Sequence, residues 1–82
     1  MLIMTPAQSR AARALLNMTQ PQLAARASLG LSTVVDFERS RRAVSPLAQE
    51  KMTTVLERAG VLFIDADTQG PGVRLRDVPP PA

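Results

Sequence analysis

The amino-acid sequence predicts a mainly α fold, in which four short helices are followed by a C-terminal β-hairpin. Three sequence patterns support this prediction. Ser or Thr stands one or two residues before a proline at three places, an arrangement typical of helix starts. Apolar residues recur at helical spacing after each of these starts. Beyond Gly60 the pattern changes to short β-prone runs separated by turn residues.

The first two helices begin with the same capping sequence. Thr5-Pro6-Ala7-Gln8 offers Thr at the N-cap, Pro at the first helical position and Gln at the third, so a helix should run to about Leu16. Asn17 is suited to the left-handed conformation that ends it. Thr19-Gln20-Pro21-Gln22 repeats the pattern and predicts a second helix over 20–27. Its expected buried residues are Leu23, Ala24 and Ala27.

Small residues at 28–33 permit a sharp turn into a third helix at roughly Leu31–Arg39. Its inward residues are expected to be Val34, Phe37 and Glu38. Ser45-Pro46 caps a fourth helix that Gly60 should end. That helix carries an apolar stripe formed by Met52, Val55, Leu56 and Ala59.

Two short β-prone runs follow, at 61–64 and 73–76, with turn residues between them. A lone two-stranded hairpin is marginally stable in water, so it must pack on the helices or pair with a second chain. We favour pairing. The expected dimer interface consists of Val61, Phe63, Ile64, Val73 and Leu75. The chain is therefore expected to divide into a helical domain at 1–60, a dimerisation hairpin at 61–76 and a frayed tail at 77–82.

Composition and charge restrict the classes of function. The 82 residues contain no cysteine and no histidine, which excludes disulfides and the usual zinc sites, and we expect no cofactor, no metal and no enzymatic activity. Residues 1–49 hold six Arg against Asp36 and Glu38, a net charge of +4, whereas residues 50–82 sum to −1. The basic half is the expected polyanion face, although genomic G+C bias also enriches Arg. The absence of a signal peptide or membrane span predicts a cytoplasmic protein.

Residues 19–38, TQPQLAARASLGLSTVVDFE, resemble the helix-turn-helix of the lambda-repressor-like family of phage repressors and Cro proteins, also called XRE-type. The family pattern is a Thr or Ser cap, Gln, a buried Leu-Ala pair, a short turn, and a recognition helix that ends in an apolar residue and Glu. The resemblance covers roughly residues 5–59. The matching positions are Thr19, Gln20, Leu23, Ala24, Phe37 and Glu38.

The resemblance implies a role for each of several residues. Those expected to reach base edges from the recognition helix are Leu31, Ser32, Thr33, Val35 and Asp36. Those expected near the DNA backbone are Gln20, Arg39, Ser40, Arg41 and Arg42. In the family, an Arg of the first helix and a Glu closing the third form a partly buried ion pair, which here corresponds to Arg13 and Glu38.

Two departures from the family pattern concern the recognition helix. Gly30 stands where Ser or Thr commonly caps that helix, and Leu31 and Val35 are apolar where long polar side chains are frequent. These apolar residues suit thymine methyl groups, and Asp36 suits the N4 amino group of cytosine. The alternative is that specificity comes largely from DNA shape, dimer spacing and Arg contacts.

The expected function is that of a sequence-specific transcription regulator of a bacterium or phage, with repression and autoregulation favoured, which binds an inverted repeat of double-stranded DNA as a homodimer. Two alternatives stay open. One is an antitoxin that binds a partner protein through its hairpin or tail. The other is an anti-activator that retains the fold without binding DNA.

Overall fold

The computed structural model describes residues 4–76. Four helices precede an antiparallel pair of strands, which confirms the predicted mainly α fold with a C-terminal hairpin. The elements are α1 (Pro6–Leu16), α2 (Gln20–Ala27), α3 (Leu31–Glu38), α4 (Pro46–Arg58), β1 (Val61–Ile64) and β2 (Gly72–Leu75). The predicted tail at 77–82 lies outside the described residues. None of the helices within 4–76 is long and apolar enough to cross a membrane.

The predicted caps of α1 and α2 are both formed. The Thr5 hydroxyl accepts a hydrogen bond from the Gln8 amide at 3.0 Å, and the Gln8 Oε1 accepts from the Thr5 amide at 2.9 Å. Thr19 and Gln22 form the same reciprocal pair at the start of α2. Asn17 ends α1 in the left-handed conformation, at φ 53°. Local sequence chemistry therefore fixes both ends of α1.

The turn between α2 and α3 uses Ser28, and not Gly30, as its left-handed residue. Ser28 has φ 57°, and the amide of Leu29 closes the end of α2 by donating to the Ala24 carbonyl at 2.9 Å. Gly30 occupies the N-cap of α3 at φ −68° and ψ 148°, an extended conformation open to any residue, and no side chain caps the helix. The glycine is not required there for conformational reasons.

Gly30→Ser is therefore expected to stabilise the fold by about 0.5–1 kcal/mol, because it adds a capping hydroxyl and restricts the unfolded chain. A Cβ at this position would meet no atom closer than the Ser32 Oγ at 3.9 Å. Urea unfolding measures the change. Gly60→Ser is the matched control, expected to be destabilising because Gly60 has φ +112°. A Gly30→Ser variant no more stable than the natural protein would contradict the prediction.

The core is shared by the helices and the hairpin. Its largest fully buried apolar side chains come from α2, α3, α4 and β1: Leu23, Val34, Met52, Leu56 and Val61. The first helix, α1, adds the fully buried Ala12. The predicted inward face of α3 is confirmed, since Val34, Phe37 and Glu38 are all buried. The predicted stripe of α4 is wrong at one position. Ala59 is exposed because the helix ends at Arg58 and Ala59 lies beyond it as the C-cap.

The hairpin presents one face to the helices and one to the surface. Val61 pairs with Leu75 and Phe63 with Val73, so these four side chains share one face of the hairpin. Val61, Phe63 and Val73 pack against the core from this face, whereas Leu75, at its open end, is 47% exposed. Val61 is 2% exposed and Phe63 is 9% exposed, so both belong to the core of their own chain. Of the five residues predicted for a dimer interface, these two therefore leave almost no surface for a second chain, and a dimer through the hairpin stays a prediction. The outer face carries Leu62 and Ile64, which are 39% and 40% exposed.

Gln8 joins the N-terminus of α1 to the far end of the hairpin. Its Nε2 donates to the carbonyl oxygens of Ile64 and Gly72, at 3.2 and 2.9 Å. The side chain is 3% exposed and also completes the cap of α1, so its amide satisfies polar groups from three segments. The hairpin is thus held on the helices by polar as well as apolar contacts.

Candidate nucleic-acid interface

The Arg13–Glu38 ion pair expected from the resemblance is present and lies at the junction of three helices. Arg13 Nη2 is 2.7 Å from Glu38 Oε1, and Arg13 Nε donates to Oε2 at 2.8 Å. The Glu38 carboxylate also accepts from the Ser9 hydroxyl at 2.6 Å and from the Gln20 Nε2 at 3.0 Å. We call these four side chains the Glu38 cluster. It ties α1, α2 and the C-terminal end of α3 together.

The electrostatics of the cluster favour an ionised Glu38. Burial by itself raises the pKa of this carboxyl group, whose side chain is 0% exposed. Hydrogen bonds from Arg13, Ser9 and Gln20, together with the positive charge of Arg13, outweigh burial and hold the pKa below the ordinary value of 4.5. The cluster is therefore charged and fully paired at neutral pH, which fixes the position of α3 relative to α1 and α2.

Gln20, a member of this cluster, and Arg10, which lies next to it, both form hydrogen bonds within the chain. The side-chain amide of Gln20, which was expected near the DNA backbone, donates to the Glu38 carboxylate and thereby joins α2 to the end of α3. Arg10, on the surface of α1, donates through Nη1 to the main-chain carbonyl of Glu38. The Arg10 contact satisfies the Glu38 carbonyl, which has no partner within the helix, and the Gln20 contact holds the Glu38 side chain at the C-terminal end of α3.

The five residues expected to contact bases lie on the part of α3 that the core leaves uncovered. Leu31 is 46% exposed, Ser32 is exposed, and the other three are half-buried: Thr33, Val35 and Asp36. The opposite side of the helix is buried. All five residues are thus at least partly accessible on a helix that the Glu38 cluster holds in place.

A basic loop follows α3 and folds back along its end. Ser40 takes the left-handed conformation at φ 54°, and the Arg41 amide donates to the Asp36 carbonyl at 2.9 Å. Arg39 and Arg41 are exposed, and within residues 4–76 their guanidinium groups have no hydrogen-bond or ion-pair partner. Two exposed cationic groups without a partner in the described residues therefore follow α3 directly in the chain.

Arg42 differs from its two neighbours because it pairs with Asp36. Its Nε donates to Asp36 Oδ2 at 2.8 Å, with the Arg42 side chain 51% exposed and the Asp36 side chain 21% exposed. The sequence patterns did not predict this pair. The two residues are six apart, and only the left-handed backbone of Ser40, a residue type with no strong preference for it, brings them together.

These observations define a class of protein: a small helical domain that presents one short helix and an adjoining basic loop at its surface. Within residues 4–76, no group of three acidic or other ligating side chains is placed to hold a metal ion. No protein-family model matches the chain, and no match was found among curated proteins.

Proposed function

We propose that this protein is a transcription regulator that binds double-stranded DNA through α2 and α3, which act as a helix-turn-helix. The observation that carries the proposal is the Glu38 cluster. It joins the end of α3 to α1 and α2 and so holds a short helix at the surface, and this helix is followed directly by the exposed Arg39 and Arg41, which form no ion pair within residues 4–76. An α-helix fits the major groove of B-DNA, where each base pair has a distinct pattern of donors and acceptors.

In this proposal α3 is the recognition helix. Ser32 donates to or accepts from base edges, while Leu31 and Val35 contact the methyl groups of thymine. Gly30 provides no hydroxyl for a phosphate contact at the start of the helix. The apolar side chains discriminate A·T from G·C pairs by shape and burial, so the domain needs polar contacts from elsewhere to identify guanine.

Arg39, Arg41 and the main chain at Ser40 contact phosphates beside the groove. Phosphate contacts set the position and orientation of a protein on the duplex, and they make its affinity depend on salt. Both guanidinium groups are exposed and form no ion pair with any residue of the described range 4–76, so a phosphate contact would break none there.

A homodimer is part of the proposal, because two recognition helices related by a two-fold axis double the contacts and match an inverted repeat. With Val61 and Phe63 in the core, the surface available to a second chain is the outer face of the hairpin, formed by Leu62 and Ile64, together with the exposed Leu75 at the open end of the other face. The function as a repressor or autoregulator requires access to cellular DNA, so the proposal includes a cytoplasmic location.

The decisive test is selection of bound sequences from a random DNA pool, followed by mobility-shift titration over a salt series. We expect a preferred inverted repeat, two chains per site and a linear fall of log affinity with log salt. Binding no tighter to any selected sequence than to random DNA would overturn the proposal. The interaction roles, as an antitoxin or an anti-activator, would then be favoured.

Arg39→Ala and Arg41→Ala are each expected to weaken binding to all DNA sequences alike and to reduce the salt slope by about 1, because each removes one phosphate contact. Arg58→Ala, which removes an exposed Arg at the C-terminal end of α4, is the matched control and should leave binding unchanged. A change in the preferred sequence, in place of a uniform loss, would show that these residues contact bases.

A further inference from the structure

The pairing of Arg42 with Asp36 points to a role that differs from those of Arg39 and Arg41. We propose that Arg42 reads a guanine in the major groove and that Asp36 is the residue that positions it. This inference rests on the proposed function, because it assigns a specificity residue to the same DNA-binding surface.

The geometry leaves the outer edge of the Arg42 guanidinium group, formed by Nη1 and Nη2, available for a contact with DNA. Its Nε is bound to Asp36 Oδ2 at 2.8 Å, which fixes the plane of the group. The two terminal nitrogens have only long contacts, Nη1 to the Ala43 carbonyl at 3.4 Å and Nη2 to the Thr33 hydroxyl at 3.5 Å. Such contacts are weak and easily exchanged. Nη1 and Nη2 are the two donors that a bidentate contact with guanine O6 and N7 requires.

The position of the Arg42 guanidinium group also favours a contact with bases over a contact with phosphates. The contact with Thr33 places Nη2 beside the exposed side of α3, among the residues proposed to face the groove. A phosphate contact gains from net positive charge, and the Arg42–Asp36 pair has none. Arg39 and Arg41 retain that charge, because neither forms an ion pair within the described residues. The three arginines therefore divide into two phosphate contacts and one base contact.

The pair also explains how an acidic residue can lie on a DNA-binding surface. An unpaired carboxylate there would be repelled by the phosphates, whereas Arg42 neutralises it. Asp36 was predicted to accept a hydrogen bond from cytosine, but its Oδ2 already accepts from Arg42. Asp36 is thus a positioning residue, and it lowers the entropy that Arg42 loses on binding because the side chain is already held.

The test begins with the preferred sequence of the natural protein, obtained by selection from random DNA. Arg42→Ala and Asp36→Ala are then titrated against that sequence and against versions with the other three base pairs at each position. Both variants should lose preference for guanine at the same single position, by about 5- to 150-fold. Asp36→Ala should also bind random DNA more tightly, because it removes a negative charge. Arg41→Ala is the matched control and should keep every base preference.

Replacement of that guanine by 7-deazaguanine provides a second measurement. Loss of N7 should weaken binding by the natural protein and have no further effect on Arg42→Ala. Thermal unfolding of both variants should match the natural protein, since the pair lies at the surface, with Arg42 51% and Asp36 21% exposed; this separates positioning from a structural role. A uniform loss with Arg42→Ala, with a salt slope reduced by about 1, would overturn the inference and leave the regulator function intact. No sequence preference in the natural protein would overturn both.

Discussion

Arg13→Ala is expected to reduce the free energy of unfolding by about 3–5 kcal/mol, because it leaves the Glu38 carboxylate buried without its positive partner. Glu38 is 0% exposed, whereas Arg13 is 18% exposed, so the acidic member of the pair has no access to compensating water. The variant also removes the hydrogen bond to the Met18 carbonyl at 3.1 Å. Urea unfolding followed by circular dichroism gives the change directly.

Arg26→Ala is the matched control, since Arg26 is exposed on α2 and forms no ion pair within the described residues. Glu38→Gln should cost less than Arg13→Ala, because a neutral amide retains an acceptor for Ser9 and leaves an Arg that is partly solvated. An Arg13→Ala variant as stable as Arg26→Ala would mean that Ser9 and Gln20 suffice to hold the carboxylate.

Acidic pH is expected to destabilise the fold through the same Glu38 cluster. The pKa of Glu38 is lower in the folded state than its ordinary value of 4.5, so the carboxylate stabilises the fold above that pH. This contribution is lost as the pH falls below 4.5 and through the folded-state pKa. Arg13→Ala removes both the hydrogen bond and the positive charge by which Arg13 lowers the pKa of Glu38. The free energy of unfolding of this variant should therefore fall less between neutral and acidic pH. Unfolding curves measured from neutral to acidic pH give the slope of the free energy of unfolding against pH for the natural protein and for Arg13→Ala. Equal slopes would contradict the assignment of this pH dependence to the Glu38 cluster.

The sequence alone was sufficient for the features that depend on nearby residues. The caps at Thr5 and Thr19 are formed by side chains three positions away, so their spacing identifies them without knowledge of the fold. Features that join distant segments could not be predicted in this way. Gln8 reaches Ile64 and Gly72 across the molecule, although the same side chain was expected only to complete a cap.

The orientation of β1 shows a different limit. Its four residues, Val61–Ile64, are all apolar, so the alternation that normally marks the inner face of a strand is missing. Both possible orientations satisfy the pattern. The orientation is decided by the helices, because Val61 and Phe63 complete the core when they face them. The shape of that core cannot be derived from the sequence of the strand alone.

Phe63→Asp is accordingly expected to disrupt the fold and not merely the dimer. Loss of a buried Phe side chain costs about 3–5 kcal/mol, and burial of an unpaired carboxylate adds to it. In a domain of this size such a loss is comparable with the whole stability. Circular dichroism should show weak or absent cooperative unfolding. A variant that unfolds like the natural protein would mean that the hairpin does not form part of the core in solution.

Ile64→Asp, one residue along, separates dimer formation from folding. Ile64 is 40% exposed on the outer face of the hairpin, so the substitution should keep the thermal unfolding transition while placing a charge in the proposed dimer interface. Sedimentation should show monomers, and binding to one half of the inverted repeat should persist at reduced affinity. Leu47→Asp, which alters a 61% exposed residue on α4, is the control and should remain dimeric. If Ile64→Asp also stays dimeric, the two-fold axis passes elsewhere, and only the hairpin's role in the core remains.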